Sequence, residues 1–117
     1  MKRKPWRKAL GTPEQRLAFR QAVLLADGYR CRMAGKSNCQ GELQAAHVVS
    51  KEKLRRQGFG AETIYDPASA MTLCERHHNR HDRHLERVSY ELLPQRCRDF
   101  LFGLGLTDVL RFTGDAA

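Results

Sequence analysis

The chain has 117 residues, a formal net charge of +8 and an isoelectric point near 9.8. That length suits one small domain, and the charge favours an acidic partner, nucleic acid first among them. No apolar run approaches the roughly 20 residues of a membrane span, and the basic start has no apolar stretch behind it to make a secretory signal; a reducing cytoplasm and no membrane partner are therefore expected, with the four cysteines as thiols or metal ligands rather than disulfides.

Residues 1–10 read as a basic arm, with Lys2, Arg3, Lys4, Arg7 and Lys8 around Trp6. Such a charge run suits either a solvated tail or phosphate contact. Residues 11–117 read as a single domain. The stretch from Thr12 to Gly28 predicts a helix: Thr12 is an N-cap, Pro13 fits the first turn, Gln15 completes a capping box, and Gly28 is the stop signal. Leu17, Val23 and Leu24, with Ala18, Phe19 and Leu25 nearby, make it mostly apolar, so it needs a partner to cover it.

Cys31 and Cys39 then flank a turn-rich loop containing Gly35, Ser37, Asn38 and Gly41. "ELQAAHVVSK" predicts a short strand ending near His47, and "LRRQGFGAETIYDPAS" a polar loop with a turn at Asp66-Pro67. "AMTLC" predicts a second strand, followed by a helix from about Glu75 to Val88, with Leu85 and Val88 as its apolar contacts. One more helix should start around Pro94, bury Phe100, Leu101 and Leu104, and stop at Gly103 or Gly105; Thr107 is a candidate cap for a final turn. Cys97, inside that helix, reads as a core or partly exposed thiol.

Two sets of metal-ligating residues emerge from spacing. Cys31 and Cys39 form one pair of soft ligands, and Cys74 with His77, two residues apart, forms the second. Together they suit a tetrahedral structural zinc site. A different quartet, Cys31, Cys39, His77 and His81, is also open, and would leave Cys74 as a packed thiol. Four of the five histidines fall between Cys74 and Leu85. On a helix starting near Glu75, His78 and Asp82 share one face, one turn apart, and a histidine and a carboxylate so placed suit a divalent cation; Asp82 pairing with a neighbouring arginine is the plainer reading. His47 stands alone among apolar residues, where a histidine is more often a packing residue than a catalytic one.

Taken together, "CRMAGKSNCQGELQAAHVVS", the polar loop and "YDPASAMTLCERHHNRHD" resemble an HNH endonuclease of the ββα-metal group, of the zinc-containing kind found in phages and prophages. The motif spans about residues 30–88. The resemblance implies an α+β fold: a ββα-metal core, an N-terminal helix, a structural zinc site and a C-terminal helical segment. It implies metal-dependent hydrolysis or nicking of DNA that leaves 5′-phosphate and 3′-hydroxyl ends. His47 takes the position of the general base, and His78 with Asp82 that of the ligands to a catalytic ion, Mg²⁺ or Mn²⁺. Cys31, Cys39, Cys74 and His77 match the zinc knuckles, with histidine replacing the usual fourth cysteine.

Two positions depart from the pattern. Ala46 stands where the family often has a further ligand, and Ser69 where it has its middle asparagine, leaving a serine hydroxyl as the supporting hydrogen-bonding group. Arg76, Arg80 and Arg83 on the helix, and Arg55 and Arg56 in the loop, are the expected phosphate contacts, which position DNA without reading its sequence. The contrasting reading is a non-catalytic zinc module that binds nucleic acid; a regulatory or phage packaging partner that kept the fold and lost the chemistry is a third.

Overall fold

The computed structural model describes residues 11–83, 85, 88 and 90–106. The basic arm, His84 and the turn expected at Thr107 lie outside the described residues. The first element, α1, is Pro13–Ala26, and Thr12 caps it by accepting from the Gln15 N–H at 3.0 Å. It ends as the glycine predicts. Gly28 takes φ +65°, its N–H reaches the Leu25 carbonyl, and the Tyr29 N–H reaches that of Leu24, so two carbonyls at the helix end are satisfied. Phe19, Val23 and Leu24 are buried, whereas Leu17 and Leu25 are exposed. Helical rotation explains the split, because only one stripe of α1 faces the sheet.

Among the described residues the sheet is a single antiparallel pair, β1 (Leu43–His47) and β2 (Ala70–Cys74). Its register sets Ala46 opposite Met71 and His47 opposite Ala70. β2 is buried along its whole length, with α1 packed on both strands. The segment between the strands is more ordered than the expected polar loop. It holds two short helices, α2 (Lys51–Arg56) and α3 (Ala61–Ile64), and a 3-10 turn at Pro67–Ser69. Local capping and tertiary burial account for them. Ser50 accepts from the Lys53 N–H, Asp66 accepts from the Ala68 N–H, and Leu54 and Ile64 are completely buried. Neither helix is long enough to persist by propensity.

Helix α4 follows β2 without a break and spans Glu75–Asp82, shorter than the expected run to Val88. Arg83 caps it, Leu85 is exposed, and Val88 is buried outside the helix. Only His77 is buried within α4, so little packing holds a further turn. The last described helix, α5 (Gln95–Gly103), has Pro94 at its N-cap and ends at Gly105, with φ +72°. It buries Cys97 and Leu101, while Phe100 and Leu104 are partly buried against the core. Cys97 is a core thiol that donates to the Ala70 carbonyl at 3.3 Å, and burial pushes its pKa up to about 12.

An ion pair ties the two outer helices to the sheet. Arg96 of α5 grips Asp27, just past α1, through two bonds of 2.8 and 3.0 Å, and also donates to the Pro67 and Ala70 carbonyls. Asp27 accepts in addition from the Thr72 N–H at 2.8 Å. Burial alone would raise the Asp27 pKa; the bonds from Arg96 and Thr72 outweigh it and hold the carboxyl below its usual value. No helix among the described residues is long and apolar enough to cross a membrane.

Candidate functional site

Cys31, Cys39, Cys74 and His77 converge at the start of α4, and one ligand atom from each lies within 4.8 Å of all the others. A tetrahedron with ~2.3 Å metal–sulfur bonds has edges of roughly 3.8 Å, so these donors need only small adjustments to share an ion. The seven residues between Cys31 and Cys39 fold back through turns at Cys31–Ala34 and Met33–Lys36, with Gly35 at φ +91°. Gly41, at φ +84°, lies against Glu75, where any side chain would collide.

The His77 ring presents Nδ1 to the sulfurs, at 3.1 Å from Cys74, 3.4 Å from Cys31 and 3.7 Å from Cys39. With Nδ1 turned to the ligand set, Nε2 carries the hydrogen and donates to Ser37 Oγ at 2.8 Å. Cys74 also caps α4 by accepting from the His77 N–H. Burial would raise its pKa, but the N–H groups of His77 and Gln40 outweigh that and lower it, which favours the thiolate a metal needs. The quartet thus contains Cys74, as in the first scheme from spacing. His81 falls outside it.

One turn along α4, a second site opens on a groove of about 890 Å³. Its floor is β1, with Gln44, Ala45 and His47; α4 contributes His78, His81 and Asp82. His47 at the end of β1 is 2.7 Å from the Ile64 carbonyl through Nε2. A carbonyl only accepts, so Nε2 carries the hydrogen and Nδ1 keeps its lone pair. The ring stacks on Phe19 at 5.1 Å and 22°, with Tyr65 edge-on at 6.3 Å. Burial, helped by the charges of Lys51 and His78 and opposed by the Ile64 carbonyl and Asp82, lowers its pKa to about 4. His47 is therefore neutral at physiological pH.

His78 is oriented in the same way. Its Nδ1 lies 2.7 Å from Gln44 Oε1, an acceptor, so Nδ1 is protonated and Nε2 is free to bind an ion. Nε2 sits 3.4 Å from Asp82 Oδ2. Two neighbouring ligands of an octahedral ion with ~2.1 Å bonds are roughly 3.0 Å apart, so the pair is spaced to hold a divalent cation after a small adjustment.

Ser69 is buried beneath the groove, and its hydroxyl donates to the Ile64 carbonyl at 2.9 Å, the same oxygen that anchors His47. Ala46 is fully buried and does not line the groove. A longer acidic side chain there would enter the core instead of reaching His78.

None of Arg55, Arg56, Arg76, Arg80 and Arg83 lines the groove. Arg76 turns to the knuckle and donates to the Asn38 carbonyl at 2.8 Å, and Arg56 pairs with Glu52 at 3.6 Å. The groove is lined instead by Arg16 and Arg20 of α1 and by Lys51 and Lys53 of α2. The spacing of Arg16 and Arg20, one helical turn apart, was the available signal, and it acquires meaning only once α1 is docked beside β1.

Compared with known protein families, residues 31–86 match the model described as HNH endonuclease. No curated protein and no solved structure matches the chain. The matched segment holds both strands, the knuckle and α4, and excludes α1 and α5.

Proposed function

We propose that the protein, whose residues 31–86 match the HNH endonuclease model, is a metal-dependent DNA endonuclease that hydrolyses or nicks phosphodiester bonds. The observation that carries this reading is the convergence of His47, fixed through Nε2 with its Nδ1 lone pair free, and the His78–Asp82 pair on one groove.

His47 Nδ1 takes the proton from the attacking water. The Ile64 carbonyl, itself held by the Ser69 hydroxyl, keeps the imidazole in the required tautomer. Nε2 of His78 and a carboxylate oxygen of Asp82 hold the divalent ion, Mg²⁺ or Mn²⁺; when bound, that ion supplies Lewis-acid contact to the scissile phosphate and stabilises charge on the departing 3′ oxygen. The products then carry 5′-phosphate and 3′-hydroxyl ends. Cys31, Cys39, Cys74 and His77 hold a structural zinc that fixes the start of α4, and with it the position of His78. Arg55, Arg56, Arg76, Arg80 and Arg83 contribute to the positive field around the bound DNA. The setting is cytoplasmic, in a phage or prophage context.

A second reading, a non-catalytic zinc module on this fold, draws support from Ala46, whose burial leaves the proposed ion with two protein ligands. Supercoiled plasmid incubated with Mg²⁺ or Mn²⁺ separates the two. The nuclease converts it to open circles, and chelator stops the conversion. Intact plasmid with every divalent ion tried, together with retained DNA binding, would establish the second reading.

A further inference from the structure

The groove that holds His47 is lined by cations from two helices: Arg16 and Arg20 of α1, and Lys51 and Lys53 of α2. Against these four cations the described lining of the groove has two carboxylates, Glu42 and Asp82, and Asp82 already faces His78. The arginines are held in place by the backbone. Arg16 donates to the Gly11 carbonyl and Arg20 to the Leu43 carbonyl, each at 3.0 Å. Leu43 is the first residue of β1, so Arg20 is tied to the strand that ends at His47. A guanidinium has five N–H donors, and most of each fork stays available to an anion.

α1 lies outside the segment that matches the HNH endonuclease model. We propose that Arg16 and Arg20 of α1, with Lys51 and Lys53 of α2, form a phosphate site that holds a DNA strand in the groove. The helix preceding the HNH segment is then part of the substrate-binding machinery. This inference rests on the nuclease reading for the identity of the polyanion. Charge complementarity selects the ligand: a phosphodiester chain presents regularly spaced single charges, and bound counterions leave it as the cations replace them.

The test is the salt dependence of duplex DNA binding, measured by fluorescence anisotropy between 50 and 200 mM NaCl without added divalent ion, in a His47→Ala background. Each phosphate contact contributes about 0.9 to the slope of log K against log salt on B-DNA. Arg16→Gln with Arg20→Gln is expected to flatten the slope by about 1.8, and Lys51→Gln with Lys53→Gln by the same amount. Arg16→Lys with Arg20→Lys, which keeps the charge, restores most of the slope. Arg55→Gln with Arg56→Gln, outside the groove, changes it by less than either groove pair. Zinc content and circular dichroism identify any variant that misfolds, and the lysine pair keeps the test alive if the arginine pair does so. An unchanged slope in both groove pairs overturns the proposal. A change in one pair alone overturns a site shared by both helices, and a loss confined to Arg55 and Arg56 overturns its placement in this groove. The predicted slopes, together with a protein retaining His47 that never nicks DNA in Mg²⁺ or Mn²⁺, would sink the nuclease reading and leave this site standing.

Discussion

His47→Gln is the perturbation whose effect follows most directly from the structure. In the folded chain the imidazole is packed between Phe19 and Tyr65, and burial holds its pKa near 4, whereas an unfolded histidine titrates near its usual 6.5. Between those values the unfolded chain binds a proton that the folded chain refuses. The group's contribution to stability is therefore fully present above pH 6.5 and is lost as the pH falls toward 4. Integrating from pH 7 to pH 5 gives a loss of about 2 kcal/mol from this one side chain. Glutamine keeps an N–H for the Ile64 carbonyl and does not titrate in this range. Urea unfolding of both proteins at pH 7 and pH 5 isolates the effect, because other acid-sensitive groups, including the thiol ligands, are common to both. Wild type should lose about 2 kcal/mol more than the variant over that interval. Parallel losses in the two proteins would mean that His47 titrates normally, and the account of a desolvated, carbonyl-anchored ring would fail.

Three further outcomes follow. Gln44→Leu removes the acceptor that fixes the His78 tautomer and should weaken Mn²⁺ binding at the His78–Asp82 pair by about tenfold or more, read by electron paramagnetic resonance titration, while Gln44→Glu retains it. Cys74→Ser should lose the structural metal and His81→Ala should keep it, by elemental analysis of purified protein; the reverse pattern would favour the quartet built on His81. Asp27→Ala removes the carboxylate from Arg96, which keeps its bonds to the Pro67 and Ala70 carbonyls, and leaves the Thr72 N–H without its acceptor; it should cost about 1.5–3 kcal/mol in urea unfolding at pH 7 with no change in metal content.

Much of the scaffold was legible because its signals are local. Thr12, Pro13 and Gly28 bound α1, and "AMTLC" marks β2 residue for residue. The knuckle was legible for a related reason: Cys74 and His77 sit on one turn, and only closure of the Cys31–Cys39 loop depended on three-dimensional folding. α2 and α3 were missed because they are six and four residues long and owe their existence to the burial of Leu54 and Ile64, not to a helical period. Gln44 and the cations that line the groove were not legible either. Gln44 meets His78 across 34 positions, and Arg20 meets β1 across 23. The family pattern also left open the environment of Ala46 and Ser69. Burial turns the first into a core residue, and a hydrogen bond gives the second a hold on the carbonyl that orients His47.

The central claim is that His47 Nδ1 removes the proton from the attacking water. It is tested most directly by plasmid nicking with His47→Ala in Mn²⁺, with and without added imidazole. The account predicts a loss of roughly 10²–10⁴-fold in rate, partly restored by imidazole as its neutral form accumulates with rising pH, with 5′-phosphate ends on the product. Nicking by His47→Ala at the wild-type rate would contradict it.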